Sequence, residues 1–230
     1  MRYIGGKHRI AKLLAGSILP HVRDRRLIEP FCGGMSATVA LQPQFASDAC
    51  SPLIRLINSV RGGWEPPAEV SEQMYQEALG GDHNNPLTFF ILQGNSYGGK
   101  WRGGYARDAR RNATGDSTRA LIRKVGATMS TIFTNACYWD WTPGPGDVFY
   151  CDPPYRGVTN GYATGPFDSD AFWDWVRDGA QRGALMFVSE FQGPDWATVH
   201  VEYPSRTDLR KREGGEQKTV EKLYIVGDLT

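Results

Sequence analysis

The tetrapeptide Asp152-Pro153-Pro154-Tyr155 combines the side chains and the rigidity that a catalytic site requires. It follows the apolar run 148–151, which is typical of a buried strand in a parallel sheet. Proline fixes its own φ and favours extended geometry in the residue before it, so the chain leaves this strand on a stiff path. Because neither proline carries an N–H group, the Asp152 carboxylate and the Pro153 carbonyl are acceptors beside the flat ring of Tyr155. This arrangement suits a planar group bearing an amino function, such as an adenine; a proline-rich turn with a solvent-facing aspartate is the alternative.

Two glycine turns near the amino terminus are candidate ligand-binding segments, because glycine lets the backbone approach a ligand closely. Tyr3-Ile4-Gly5-Gly6-Lys7 precedes a helical pattern over 10–19, and Lys7 is placed to pair with a carboxylate or a phosphate. A flexible terminus with a surface lysine is the alternative. The second turn, 30–36, lies between a predicted strand over 26–29 and a helix over 37–41. The next strand, over 44–47, ends in Asp48, at the spacing where an acid holds ribose hydroxyls in nucleoside-binding folds.

The apolar periodicity of the rest of the chain predicts further strands and helices, which continue the alternation into a doubly wound α/β sheet. Further strands are predicted over 131–138, 147–151, 184–191, 199–203 and 220–226, with helices over 117–129 and 167–177. Asp168 or Ser169 is the expected N-cap of the second helix. These segments bring the total to seven strands, and the last two indicate an antiparallel hairpin that completes the sheet. In such folds ligands bind beyond the carboxyl ends of the parallel strands.

The regular alternation of predicted strands and helices ends after Arg61, and the distribution of charged residues changes at the same point. Residues 64–96 contain five acids and no Lys or Arg, whereas residues 97–124 contain eight Lys and Arg against two acids. In the basic part, aromatic and basic residues alternate on a glycine-rich frame, which suits contact with phosphates and bases. A disordered basic loop and ordinary solvated faces are the alternatives.

Composition bounds the class of protein. The chain has 230 residues and a formal net charge of +1, enough for one large domain or a core domain with a modest insertion. The four cysteines show no CxxC pairing, so we expect no disulfide, no zinc site and a reducing compartment. No apolar run approaches the ~18 residues of a membrane span, and no signal peptide is visible, which predicts a soluble, intracellular protein.

In motif order and spacing the chain resembles the Dam-type DNA adenine-N6 methyltransferases, a group of class I S-adenosylmethionine-dependent enzymes. Residues 3–7 are similar to the family's aromatic-x-Gly-Gly-Lys opening, Glu29-Pro30-Phe31-Cys32-Gly33-Gly34 to its cofactor loop, and Asp48 to its ribose-binding acid. The tetrapeptide 152–155 is similar to the family's catalytic motif. Phe167-Asp168 before Phe172-Trp173 and the pair Gly214-Gly215 are also similar. Two positions depart from the pattern: Met35 replaces a frequent glycine and is expected to narrow the cofactor pocket, and Glu190 replaces a frequent asparagine.

The resemblance implies a Rossmann-like, seven-stranded, mostly parallel sheet with helices on both faces. It implies a catalytic methyltransferase domain over 1–61 and 127–230, and an inserted, mainly helical and loop target-recognition domain over 62–126. The expected cofactor is S-adenosylmethionine without a metal, and the expected partner is duplex DNA, with no membrane and no obligatory protein partner. The expected location is the cytoplasm of a bacterial cell or of a phage host.

The resemblance and the residue patterns together assign three groups of site residues. The predicted catalytic residues are Asp152, Pro153, Pro154 and Tyr155. The predicted cofactor-binding residues are Tyr3, Gly6, Lys7, Glu29, Pro30, Phe31, Cys32, Gly33, Gly34, Ser36, Asp48, Ala49, Cys137, Tyr138 and Asp152. The predicted DNA-binding residues are Lys100, Trp101, Arg102, Arg107, Arg110, Arg111, Arg119 and Arg123, with the basic loop 206–218 as the alternative recognition segment.

Two other classes of function remain compatible with these residues. One is a class I methyltransferase that acts on RNA or on a protein amide, because related tetrapeptides serve planar nitrogens in those substrates. The other is a catalytically inactive, nucleoside-binding DNA module. The opening motif and the insert before the tetrapeptide argue against the first, and the intact tetrapeptide argues against the second.

Overall fold

Seven β-strands form one mixed sheet in the computed structural model, which describes residues 1, 3–107, 113–157, 161–204 and 220–228. The strands are β1 (Arg26–Glu29), β2 (Phe45–Asp48), β3 (Ile132–Asn135), β4 (Asp147–Cys151), β5 (Leu185–Glu190), β6 (Thr198–Pro204) and β7 (Val220–Val226). The α-helices are α1 (Ala11–Ile18), α2 (Ser36–Leu41), α3 (Ser51–Arg61), α4 (Glu72–Leu79), α5 (Pro86–Gly94), α6 (Ala113–Ala127) and α7 (Ser169–Gln181).

The strand order is β3-β2-β1-β4-β5-β7-β6, and β7 is antiparallel to both of its neighbours. The chain moves outward in one direction from β1 to β3 and in the other from β4 to β5. The order therefore reverses between β1 and β4, and a crevice for ligands is expected beyond the carboxyl ends of these two strands. This architecture confirms the predicted α/β sheet and its antiparallel closing hairpin.

Central strands β4 and β5 are buried along their whole length, which explains their nearly continuous apolar sequences. Successive side chains of a strand point to opposite faces, so Val148 and Tyr150 join one core and Phe149 and Cys151 the other. The first core is closed by α1 and α2 and the second by α7, which contributes Phe172, Trp173 and Val176. Helices on both faces therefore hold β4 rigidly.

Some predicted boundaries differ from the structure. The strand predicted over 131–138 covers only Ile132–Asn135, because a 3₁₀ turn, Tyr138–Asp140, follows at once. The Asp140 side chain accepts a hydrogen bond from the Cys137 backbone N–H at 2.7 Å, which favours this turn over further strand. Helix α6 starts at Ala113 rather than at 117, and α3 was not predicted. Asp168 is the N-cap of α7, as expected, because it accepts from the N–H groups of Asp170 and Ala171.

Part of the segment 62–126 shares a hydrophobic core with the rest of the chain. Buried residues from α5 and α6, including Phe89, Phe90 and Leu121, pack with Leu53 and Ile57 of α3. The division into a catalytic domain and an insert stays a prediction, and this packing ties the insert to the sheet.

Two observations concern cysteines and membranes. All four cysteines are free, and Cys32, Cys50 and Cys151 are buried. In the part of the chain that the structure describes, no cluster of His, Cys, Asp and Glu is arranged to hold a metal ion. None of the described helices is both long enough and apolar enough to cross a bilayer.

Candidate active site

The tetrapeptide begins immediately after β4, at the carboxyl edge of the sheet next to β1. Asp152 is largely buried, with 18% of its side chain exposed, and its Oδ1 lies 2.7 Å from Nζ of Lys7. Lys7 is itself only 7% exposed. The pairing of Lys7 with a carboxylate, which the sequence suggested, is therefore confirmed, and the partner is Asp152, the first residue of the tetrapeptide.

Lys7 is the centre of a larger cluster. Its Nζ also lies 3.5 Å from Oε1 of Glu221 and donates to the carbonyl of Gly5 at 3.2 Å. The same ammonium is 4.8 Å from the centroid of the Tyr155 ring, a cation–π distance. The Tyr155 hydroxyl donates to Glu221 Oε1 at 3.0 Å. One cation, two carboxylates and one phenol thus form a connected group.

Burial and charge act against each other in this cluster. Burial raises the pKa of Asp152 to about 6, while Lys7 opposes that rise and Glu221 adds to it. Burial acts to lower the pKa of Lys7, but the attraction of Asp152 and Glu221 outweighs it and leaves the pKa above its ordinary value. At neutral pH Asp152 is therefore an ionised acceptor held by a protonated lysine.

A cavity of about 250 Å³ adjoins the tetrapeptide and opens along the carboxyl ends of β1 and β4. All fifteen predicted cofactor-binding residues line it: Tyr3, Gly6, Lys7, Glu29, Pro30, Phe31, Cys32, Gly33, Gly34, Ser36, Asp48, Ala49, Cys137, Tyr138 and Asp152. Pro154 also lines the cavity, whereas Pro153 and Tyr155 do not. The structure therefore brings together in one cavity segments that are far apart in the sequence.

The glycine turn between β1 and α2 is held by Asp48 at the end of β2. Asp48 Oδ2 accepts from the Gly33 N–H at 3.0 Å, and Oδ1 accepts from the Cys50 N–H at 2.9 Å. Burial raises the pKa of Asp48 to about 6, against the effect of these two N–H groups. A carboxylate oxygen accepts about two hydrogen bonds, so each oxygen retains capacity for a ligand hydroxyl.

Tyr3 covers this turn closely. A Cβ atom added to Gly34 would lie 2.6 Å from Cβ of Tyr3, so the position requires glycine. Met35, the next residue, has a left-handed backbone with φ of 58°, which explains why glycine is favoured there. The Met35 side chain is buried in the core and does not line the cavity. The expectation that Met35 narrows the cofactor pocket was therefore wrong.

Glu29, the last residue of β1, brings a buried carboxyl group to the cavity wall. It is 1% exposed, and its Oε2 has no hydrogen-bond partner among the described residues. Burial raises its pKa well above the ordinary value, the nearby Thr38 hydroxyl and the charge of Lys124 oppose that rise, and the charges of Asp152 and Asp48 add to it. A buried carboxyl group with an unused oxygen fits a ligand that brings a hydrogen-bond donor or a positive charge.

Aromatic rings form the opposite wall. Phe31 stacks on Tyr138 with centroids 5.7 Å apart and meets Phe167 edge-on at 5.9 Å. The cavity is also lined by residues that were not among the predicted site residues: Ile4, Gly5, Ala37, Trp139, Tyr162, Thr164, Pro166, Phe167 and Asp168. Of these, Ile4 and Gly5 belong to the opening motif and Phe167 and Asp168 to another family-like motif, whereas the other five had carried no site signal.

Glu190, the second departure from the family pattern, supports the segment after the tetrapeptide. Its Oε2 accepts from the Arg156 N–H at 3.2 Å, and its Oε1 accepts from the Phe191 N–H at 2.8 Å. Burial raises the pKa of Glu190 to about 7. This acid therefore ties the end of β5 to the residue that follows Tyr155.

The predicted DNA-binding residues fall into several environments. Lys100, Arg102 and Arg123 are exposed, whereas Arg107 pairs with Glu72 and Arg119 with Asp116. Such exposed ion pairs contribute only about 0–1 kcal/mol each, so Arg107 and Arg119 remain able to exchange partners. Arg110, Arg111, Gly214, Gly215 and the loop 206–218 lie outside the described residues.

Trp101 has an internal role instead. Its ring stacks on Phe89 with centroids 5.1 Å apart and meets His83 edge-on at 5.6 Å, which joins it to the core around α5. This packing argues against Trp101 as a surface for stacking bases. The backbone N–H of Trp101 donates a hydrogen bond to the carbonyl of Gly161 at 2.8 Å, so the basic segment contacts the loop that borders the cavity.

Comparisons with known proteins identify similar folds. The structure is similar to "Putative methyltransferase yhhF from Escherichia coli", with a TM-score of 0.40 and 12% identity over 99% of this chain and 98% of that chain. It is also similar to the rRNA methyltransferase aviRa from Streptomyces viridochromogenes, with a TM-score of 0.40 and 12% identity over 93% and 83% of the two chains. No family model matches the chain, and no curated protein matches it either. At this level of identity the two likenesses concern the α/β fold alone.

Proposed function

We propose that the protein transfers a methyl group from S-adenosylmethionine to the N6 amino group of an adenine that has left the DNA duplex. The observation that carries this proposal is the position of Asp152. Its carboxylate borders the cavity formed by the glycine turn and Asp48, so a methyl donor and an amino acceptor bound there would meet beside it.

The residues of the cavity fit the proposed cofactor. Asp48 has capacity for ribose hydroxyls, and the rings of Phe31 and Tyr138 offer flat apolar surface for a purine. The free oxygen of Glu29 suits an amino group. When bound, S-adenosylmethionine supplies an electrophilic methyl group on a sulfonium centre. The residues of this chain would hold it and orient the acceptor.

The exocyclic amine of adenine is a poor nucleophile because its lone pair is delocalised into the ring. Asp152 and the Pro153 carbonyl would accept hydrogen bonds from its two N–H groups and favour a pyramidal nitrogen with a localised lone pair. Lys7 pairs with Oδ1 of Asp152, so Oδ2 is the oxygen that would accept from the amine. This mechanism needs no covalent intermediate, and positioning supplies much of the rate.

In this proposal Tyr155 would stack on the adenine. Lys7 lies over its ring, Phe191 meets the ring edge-on at 4.7 Å, and Glu221 holds its hydroxyl. A ring fixed in this way loses little freedom when it stacks on a ligand. The adenine would have to leave the duplex to reach it, as in other enzymes that modify a base. The exposed Lys100 and Arg102 would contact the surrounding DNA.

The test is a methyl-transfer assay with labelled S-adenosylmethionine. Unmethylated genomic DNA, RNA and total protein are offered separately, and digested DNA is analysed for N6-methyladenine by mass spectrometry. We expect N6-methyladenine in DNA alone. Label in RNA or in protein would support the other methyltransferase class, and cofactor binding without any transfer would support the inactive module.

A matched pair of variants connects the activity to the site. Asp152→Ala removes the acceptor and should abolish transfer while the protein stays folded. Asp174→Ala removes an exposed carboxylate on α7 that pairs with Arg177, and it should leave transfer unchanged. Substantial activity in folded Asp152→Ala protein would refute the mechanism.

A further inference from the structure

Glu221 reaches the catalytic cluster because of the direction of β7. The parallel strands β1, β4 and β5 bring their last residues to the carboxyl edge of the sheet. Strand β7 runs antiparallel to β5, with Lys222 opposite Glu190, so its first residues lie at that same edge. Glu221 is the second residue of β7, and 14% of its side chain is exposed.

Glu221 makes two contacts with groups that the proposed reaction uses. Its Oε1 accepts a hydrogen bond from the Tyr155 hydroxyl at 3.0 Å and lies 3.5 Å from Nζ of Lys7. Nζ of Lys7 is 2.7 Å from Oδ1 of Asp152, so the lysine is shared between two carboxylates. Neither contact is needed to build β7, whose core residues are Leu223, Tyr224 and Ile225.

We propose that Glu221 is a positioning residue for methyl transfer, which orients Tyr155 through its hydroxyl and, as the second carboxylate beside Lys7, influences the charge on Asp152. This inference rests on the proposed function. Its two parts are separable, because the hydrogen bond to Tyr155 requires only an acceptor oxygen and the effect on Asp152 requires a negative charge.

The charge argument has a definite sign. An ionised Asp152 accepts from an amine more strongly than a protonated one does, so activity falls as pH drops through its pKa. Burial raises that pKa to about 6, Lys7 opposes the rise, and the charge of Glu221 adds to it. Removal of the Glu221 charge therefore lowers the pKa of Asp152 and extends activity to lower pH. The other titratable groups that interact with Asp152 are Glu29 on β1, Tyr150 and Cys151 on β4, Glu190 on β5, Tyr155, and Tyr162 in the following loop.

Glu221→Gln separates the two roles, since glutamine keeps an acceptor oxygen for Tyr155 and lacks the charge. We expect the acid limb of the pH–rate profile, where the methyl-transfer rate falls as pH drops, to shift to lower pH by about half a unit or more. Tyr155→Phe removes the hydroxyl and keeps the charge of Glu221, so its rate should fall. Loss of the Tyr155 hydrogen bond that helps to lower the pKa of Asp152 should leave its acid limb at or above the wild-type pH, opposite to the shift in Glu221→Gln. Glu202→Gln, on the adjacent β6, removes a carboxylate that pairs with the exposed end of Lys222 and should change neither quantity.

The second readout does not depend on turnover. The carboxyl carbon of Asp152 is titrated by ¹³C NMR in the wild-type, Glu221→Gln and Glu202→Gln proteins, each first checked for folding by circular dichroism. A lower Asp152 pKa in Glu221→Gln alone supports the inference. An Asp152 pKa and an acid limb that are both unchanged in folded Glu221→Gln overturn it. Absence of methyl transfer by the wild-type protein contradicts the proposed function and is established before any variant is measured.

Discussion

Replacement of Glu29 by glutamine should make the protein more stable and its cofactor site weaker. Glu29 is buried at the end of β1, and burial, followed by the charges of Asp152 and Asp48, raises its pKa well above the ordinary 4.5. The folded protein therefore keeps a proton on Glu29 at a pH where the unfolded chain has released it. Because the unfolded state then binds fewer protons, the free energy of unfolding falls as pH rises above 4.5.

The size of the effect follows from proton linkage. Each pH unit over which the folded state alone retains the proton lowers the free energy of unfolding by about 1.4 kcal/mol. Glutamine has nearly the same shape and cannot ionise, so Glu29→Gln lacks this slope. One such pH unit, about 1.4 kcal/mol, corresponds to roughly 3–6 °C in Tm for a chain of this size. Any difference in hydrogen bonding between the amide and the acid shifts the curve by a constant amount and leaves the slope unaffected.

The assay is urea unfolding of the wild-type and Glu29→Gln proteins at several pH values between 4 and 7.5. Asp48 and Asp152 also have raised pKa values, but both proteins contain them, so the difference between the two curves isolates Glu29. The difference in free energy of unfolding between Glu29→Gln and the wild-type protein should widen as pH rises. A gap that stays constant across this range would refute the assignment of a neutral, buried Glu29. Glu202→Gln, at an exposed site, serves as the control.

Cofactor affinity should change in the opposite direction. S-adenosylmethionine carries positive charge, and a carboxyl group in the cavity wall is able to ionise next to it, whereas an amide is not. Loss of one charge-assisted interaction should weaken binding about tenfold by calorimetry. Higher stability together with lower affinity is the pattern expected of a residue retained for function. Unchanged affinity would show that Glu29 does not contact the cofactor.

Three further variants test other parts of the site. Asp48→Ala should weaken cofactor binding by about 10- to 100-fold in calorimetry, because it removes charge-assisted hydrogen bonds to the ribose hydroxyls. Unchanged affinity would show that Asp48 is not part of the cofactor site. Arg102→Ala should lower DNA affinity and its salt dependence more than Arg119→Ala does, since Arg119 must first leave Asp116 to contact a phosphate. Unchanged binding in both variants would place recognition elsewhere, as in the 206–218 loop. Trp101→Ala should lower the free energy of unfolding in urea by about 3 kcal/mol, because it removes the ring that stacks on Phe89 of α5. A change below about 0.5 kcal/mol would contradict the internal role of this ring.

Local signals predicted the sheet well. The strands over 147–151 and 220–226 have the predicted bounds, because a continuous apolar run or an alternating pattern is a property of consecutive residues. The N-cap at Asp168 was predictable for the same reason. The strand predicted over 131–138 was too long, since the Asp140 side chain ends it through a turn that apolar periodicity does not reveal.

The sequence by itself also determined many, though not all, of the residues that line the cavity. All fifteen predicted cofactor-binding residues are found there, because parallel strands deliver the residues after their carboxyl ends to one edge whatever lies between them. Only the tertiary structure decided which of these groups touch. It paired Lys7 with Asp152, turned Met35 into the core and stacked Trp101 on Phe89. It also brought Glu221 to Tyr155 from 66 positions later in the chain, through an antiparallel strand whose direction depends on pairing across the sheet and not on its own residues.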